Sequence, residues 1–310
     1  MKEYINYYYN LNIDNLENYD TYSTFKINNK LYFFVPYIRG IDELSDIVNC
    51  SRELKEKGFN CHDIIVNKYL QLISKIDDRN YVLLCINGDI NERFNIFDMI
   101  EINDKYILSN SKRELYKNNW ANLWSEKIDY YEYQIRELGK DKKIVLNSFS
   151  YYVGLSENAI SCVNNTILNF QNIESARITL SHRRIFFPNI QLNYFNPLSF
   201  IFDLEVRDVA EYIKALFFYD DMEEALEELK LYFKLRKLTP FEYQMFFGRM
   251  LFPTYYFDIY EKVINNEILE DELLKIIDKS LEYELFLNQI YKIINQYYVI
   301  ERIGWIKKEL

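Results

Sequence analysis

The sequence predicts an α+β protein of two lobes. A small mixed lobe, an antiparallel sheet plus one helix, is expected over residues 1–90, and a larger, mainly helical lobe over residues 91–310. Three observations carry this expectation. Runs of β-branched and aromatic residues dominate the first ninety positions, whereas apolar residues spaced three and four apart dominate the remainder. Between two of the predicted helices, strand-like ends flank a loop over residues 177–204. With 49% apolar and 17% aromatic residues in a chain of 310, there is ample material for both cores.

In the N-terminal part, Tyr22–Ile27 and Leu31–Tyr37 read as strands joined by an Asn28-Asn29 turn. Asp42–Lys57 reads as a helix burying Leu44, Ile47, Val48 and Leu54, with Asp42 as N-cap and Gly58 as the stop. Ile64–Val66, Leu70–Ile76 and Tyr81–Ile86 return to strand patterns, with a turn at Asp77-Asp78-Arg79-Asn80 and a connector at Asn87-Gly88-Asp89. Beyond Arg93, helices are expected at Lys112–Leu138, Asn158–Phe170, Arg207–Tyr219, Met222–Leu235, Pro240–Leu251 and Ile268–Ile294. Pro240 suits a first helical turn. Arg177–Leu180 and Ser199–Leu204 are the strand-like ends of the intervening segment.

That segment carries the chemistry. His182-Arg183-Arg184, Asn189 after Pro188, and Asp203 have the spacing of a protein-kinase catalytic loop and its metal-binding strand. In that frame an Asp two residues after the His accepts the hydroxyl proton. An Asn five residues further on holds a metal, and a later strand-end Asp holds the metal bridging the phosphates. His182, Asn189 and Asp203 fit, but Arg184 stands where the proton acceptor belongs. A guanidinium has no acceptor and stays charged, so it is no general base. The other parts are missing as well. The Lys26–Lys30 turn has no glycine for close approach to phosphates, and the strand position of the phosphate-pairing lysine falls near Val35. Glu43 or Glu53 stands where the lysine's helix partner would be, and without that lysine each reads as a solvated helix charge. Arg183 and Arg184 could pair with Asp203 and Glu205, or bind an anion. The expected fold is therefore protein-kinase-like with a degenerate site. No cofactor is expected, and Asn189 and Asp203 are vestigial Mg²⁺ positions.

The run Asn147-Ser148-Phe149-Ser150-Tyr151-Tyr152-Val153-Gly154-Leu155-Ser156-Glu157-Asn158-Ala159-Ile160 resembles a specific group, the YutH-type endospore coat-associated proteins. These are relatives of the CotS spore coat proteins within the aminoglycoside-phosphotransferase/protein-kinase-like superfamily. Similar stretches are Lys30–Pro36, the Phe202-Asp203 to Glu211 run, and Arg249-Met250-Leu251-Phe252-Pro253-Thr254-Tyr255-Tyr256-Phe257. The resemblance implies a spore coat or coat-assembly role, synthesis in the mother-cell cytoplasm, and other coat proteins as partners. Read from the residues alone, Asn147–Ile160 is structural: its aromatics anchor a helix entrance, Gly154 allows close packing, and Glu157 and Asn158 make polar contacts. Phe252–Phe257 is placed in the helical core.

Composition excludes other classes. A net charge of −10 argues against nucleic-acid binding. No apolar run approaches a membrane span, and the N-terminus lacks the apolar core of a signal peptide. Four scattered cysteines and two histidines make no zinc pattern. The 29 tyrosines accompany abundant Asn, Ile, Lys and Phe, as in AT-rich coding, although exposed ones could also enter coat crosslinks. Two functional alternatives to a non-catalytic coat scaffold stand: a small-molecule kinase using ATP and Mg²⁺ with relocated groups, and a nucleotide or anion sensor without turnover.

Overall fold

The computed structural model describes the chain apart from residues 20–21, 87–93, 106–118, 171–175, 186–193, 220, 302, 305 and 307–310. It divides into two compact units. One comprises Met1–Phe94, Asp104–Tyr116 and His182–Ile201; the other comprises Asn95–Asn103, Lys117–Ser181 and Phe202–Leu310.

The first unit is built on an antiparallel sheet of β1 (Glu17–Tyr19), β2 (Tyr22–Ile27), β3 (Lys30–Pro36), β4 (Asp63–Ile65), β5 (Ser74–Ile76) and β6 (Arg79–Cys85). Its order is β1-β2-β3-β6-β4, with β5 also on β6. Two helices belong to it, α1 (Lys2–Tyr9) and α2 (Ile41–Glu56), where the sequence suggested one. The extra helix explains why β3 and β6 read as unbroken apolar runs. Phe34 and Leu83 face a core shared with Ile5 of α1, while Phe33, Val35, Val82 and Leu84 face a core shared with Leu44 of α2. With both faces covered, period-two alternation disappears from the sequence.

The turns follow from backbone sterics. Asn28 and Asn29, and again Asp77 and Asp78, sit in pairs at positive φ, the requirement of a two-residue type I′ hairpin. The second turn is thus Asp77-Asp78 alone, and Arg79 and Asn80 already belong to β6. Of Leu70–Ile76, only Ser74–Ile76 is strand; Leu70 is at positive φ, which ends extended pairing. Helix α2 is capped by Gly40 rather than Asp42, which lies in the first turn where its charge meets the helix dipole. At the other end, Gly58 at φ 95° lets Phe59 N bond Leu54 O and Gly58 N bond Lys55 O, a complete Schellman motif.

The second unit is mainly helical: α3 (Ile96–Lys105), α4 (Trp120–Leu138), α5 (Lys143–Asn169), α6 (Glu205–Tyr219), α7 (Met222–Leu235), α8 (Pro240–Leu251), α9 (Thr254–Ile264), α10 (Leu274–Ile277) and α11 (Ser280–Ile294). Strands β7 (Ile178–His182) and β8 (Phe200–Leu204) pair with each other. Helix α5 begins fifteen residues before the expected Asn158, so the Asn147–Ile160 run is helix interior rather than helix entrance. A Cβ at Gly154 would meet no heavy atom within 4 Å, so the close packing expected there is absent. The close approach is at Gly248 of α8, where a Cβ would lie 2.8 Å from Val163 Cγ2 of α5. Helix α8 opens with a full capping box, Thr239 and Glu242 exchanging hydrogen bonds, with Pro240 in its first turn. The single helix expected over Ile268–Ile294 is three pieces: a 3₁₀ turn at Glu270–Leu273, then α10, then α11. Every residue from Glu205 to Phe217 of α6 is buried, which makes it the central helix of this unit.

Candidate functional site

Asp203 lies in β8 and is fully buried. Its Oδ2 accepts from Trp120 Nε1 at 2.8 Å and from Arg207 Nη1 at 2.8 Å; its Oδ1 accepts from the Leu204 amide at 2.7 Å. Arg207 reaches it because residues four apart share a helix face, and β8 runs directly into α6. Burial pushes the Asp203 carboxyl up from its ordinary value, opposed by the Arg207 guanidinium, the Trp120 N–H, Arg249 and the Leu204 amide.

The network continues through α6. Arg249 lies over the rings of Trp120 and Trp124, at 5.1 and 5.4 Å from their centroids, and its Nε donates to Glu211 Oε1 at 2.7 Å. The same oxygen accepts from Lys214 Nζ at 2.9 Å. Lys214 is 1% exposed, and its ammonium also meets Arg249 O at 3.1 Å, Thr254 Oγ1 at 3.0 Å and Phe252 O at 3.3 Å. Glu205, at the start of α6, accepts from Tyr232 at 2.9 Å and Arg236 at 3.0 Å, with Arg177 at 3.2 Å. The carboxylates expected to take Arg183 and Arg184 are thus served by Arg207, Arg177 and Arg236. Arg184 Nη1 donates to its neighbour's carbonyl, Arg183 O, at 3.0 Å.

In the first unit, His182 is 1% exposed, with Nε2 at 2.7 Å from Tyr194 O and its ring against Tyr194 and Phe200. It braces the loop. Val35, at the lysine position, pairs with Val82 across the sheet and packs with Phe33, Tyr37 and Leu84. Glu43 is not the solvated charge expected. Arg39 Nε donates to its Oε2 at 2.5 Å, and Arg39 Nη1 donates to Leu198 O and Phe200 O at 2.9 and 2.8 Å. Asn189 lies outside the described residues.

The residues present do not fit a divalent cation at Asp203. Both carboxylate oxygens are committed to protein N–H donors, and a guanidinium already neutralises the charge a metal would need. Among the described residues no group of three or more His, Cys, Asp or Glu side chains is placed to hold a metal. The arrangement holds structure; it offers no proton acceptor at Arg184 and no phosphate anchor at Val35. The sequence did carry a signal for the buried network that was overlooked. Arg207, Glu211 and Lys214 are spaced four and three apart in a largely apolar helix that also carries Glu205 and Asp208, an acid between two bases on one face.

The family described as "Spore coat putative kinase YutH" matches residues 2–290. The chain belongs to this YutH spore coat family. It is 27% identical to the endospore coat-associated protein YutH of Bacillus subtilis, over 97% of this chain and 96% of that one. In three dimensions this YutH-family chain resembles an aminoglycoside phosphotransferase from Alicyclobacillus acidocaldarius (TM-score 0.63, 10% identity, 94% and 95% of the two chains). It also resembles a spectinomycin phosphotransferase in complex with ADP and spectinomycin (TM-score 0.60, 10% identity, 94% and 97%). The fold is kinase-like, as the strand, helix and loop spacings predicted. Among the described residues no helix is long and apolar enough to cross a membrane.

Proposed function

We propose that this chain is a non-catalytic assembly component of the spore coat, whose phosphotransferase-type body binds other coat proteins. The observation that supports this most is Asp203. The carboxylate at the frame's metal-holding position is locked by Trp120, Arg207 and the Leu204 amide. With arginine at the proton-acceptor position and Val35 at the lysine position, three separate requirements of phosphoryl transfer are replaced by packing and charge pairing. Synthesis in the mother cell and recruitment to the forespore are part of this reading, which the match to a spore coat family supports. A fluorescent fusion in sporulating cells is expected to ring the forespore; a signal that stays diffuse through coat assembly would refute the reading.

The competing reading is a small-molecule kinase with relocated groups, favoured by the phosphotransferase-like fold. A thermal-shift titration with ATP and Mg²⁺ separates the two, because a ligand bound only by the folded state stabilises by RT ln(1 + [L]/Kd). The scaffold reading expects no saturable shift at millimolar nucleotide. A shift lost in Arg184→Ala but kept in Asp203→Ala would instead identify an anion sensor.

A further inference from the structure

In the first unit, an exposed contact joins α1 to the connection between β4 and β5. Tyr7 and Tyr69 are 54% and 53% exposed, yet their hydroxyls lie 2.7 Å apart in a hydrogen bond that spans 62 positions of sequence. The Lys68 ammonium lies over both rings, 3.1 Å from the centroid of Tyr7 and 5.2 Å from that of Tyr69.

Two half-exposed phenols ordinarily turn to water independently, but here both backbones are fixed. Helix α1 is anchored by the fully buried Ile5, and the Tyr8 hydroxyl donates to Lys75 O at 2.7 Å. The connection is wound around the buried Asn67. Its Oδ1 accepts from the Tyr69 and Gln71 amides at 2.9 and 3.1 Å, and its Nδ2 donates to Ile73 O at 3.0 Å. Leu70 of the same turn sits at φ 59°, a left-handed conformation uncommon for leucine. The Lys68 amide donates to Tyr8 O at 2.7 Å and fastens the two segments backbone to backbone. The two hydroxyls are also unequal. The Tyr69 hydroxyl, and after it the Lys68 ammonium, hold the Tyr7 phenol below its ordinary value, while the hydrogen bond from Tyr7 raises Tyr69. Tyr7 is thus the readier of the two to give up its proton together with an electron, and Tyr69 stands beside it.

We propose that Tyr7 and Tyr69 form an oxidative crosslinking site, coupled to each other within one chain by a peroxide-driven one-electron oxidant. Each phenol loses one electron and its hydroxyl proton. The two phenoxyl radicals then join through a carbon ortho to each oxygen, and the hydrogens displaced from those carbons move to the oxygens as the rings regain aromaticity. Two protons and two electrons leave the pair, and they reduce one hydrogen peroxide to two waters. The ortho carbons flank the paired hydroxyls, so a turn of two half-exposed rings brings them together. Held side by side, the partners couple before either radical meets a second molecule. The new bond ties α1 to the sheet and closes the chain between residues 7 and 69, which restricts the unfolded state. This site is independent of the coat-assembly reading and of any phosphoryl transfer.

The test treats the full chain with hydrogen peroxide and a haem peroxidase, then maps the products by proteolysis and mass spectrometry. The chief tyrosine coupling is expected to be a Tyr7–Tyr69 linked peptide in monomeric chain, lighter by two hydrogens than its separate parts, in a yield that does not depend on protein concentration. Tyr7→Phe and Tyr69→Phe, each with an unchanged circular dichroism spectrum, are expected to cut the biphenol fluorescence of the monomer at least about fivefold. Tyr130→Phe, on α4, is expected to leave it unchanged. Coupling chiefly between chains, a monomer product that joins other tyrosines, or fluorescence retained in both Tyr7→Phe and Tyr69→Phe overturns the site. The peptide map of the parent chain decides the matter by itself should either variant misfold.

Discussion

Asp203 separates a vestigial metal site from a structural one. A carboxylate kept for a cation sits among like charges and repels them when the cation is absent; this one sits between an indole N–H and a guanidinium. Asp203→Ala would remove the carboxylate that accepts from Arg207 and Trp120 in a buried ion pair, and should cost about 3–5 kcal/mol in urea unfolding. Preserved or increased stability would argue for a metal position after all. Glu211→Ala is expected to cost at least as much, since Arg249 and Lys214 both lose their carboxylate. The exposed Lys275–Glu272 pair provides the control: Lys275→Ala should cost about 0–1 kcal/mol. Sequence gave Asp203, His182 and Arg184 their positions in the frame. It could not give their partners, because Trp120 and Arg249 reach the cluster from 83 positions before Asp203 and 38 after Glu211.

At the level of elements, local chemistry wrote its boundaries plainly and long-range packing did not. The helices Met222–Leu235 and Pro240–Leu251 begin and end where the pattern places them, because Asp221 and Thr239 cap their starts through their own side chains. Thr239→Ala, which removes half of the capping box, should lower stability by about 1 kcal/mol by denaturant unfolding. Helix α5 starts earlier than the sequence suggests because Phe149, Tyr151 and Tyr152 resemble the anchor of a helix entrance; only the distant α9 gives Phe149 and Tyr152 rings to pack against, Phe257 and Tyr256. Gly248 marks a close approach of α8 to α5. Gly248→Ala should destabilise by about 1–3 kcal/mol by forcing Val163 aside. Val163→Ala should recover part of that loss when added to it, and a double-mutant cycle with no coupling between the two would contradict the contact.

For the molecule as a whole, tyrosine burial sets an alkaline limit. Burial pushes Tyr37 and Tyr256 up to about 12, and raises Tyr232, Tyr255 and Tyr283 further. An unfolded tyrosine ionises near ~10. Stability is therefore fully present below that value and is lost as pH rises toward 12, since only the unfolded chain can release these protons. The urea midpoint should be flat from neutral pH to about 9 and fall steeply above 10, together with tyrosinate absorbance. Free titration of all phenols near 10 without unfolding would contradict it. Cys61, pushed up to about 12 by burial, should resist alkylation until the chain unfolds.

By itself the sequence determined the two kinds of architecture, the hairpin turns, several helix limits and the identities of Arg184 and Val35, because propensity, capping and residue identity act within a few positions. The tertiary structure decided what the charges of α6 do, why β3 has no polar face, and which tyrosines meet. Burial and pairing depend on groups brought together from far along the chain, and no local pattern encodes the distance between them.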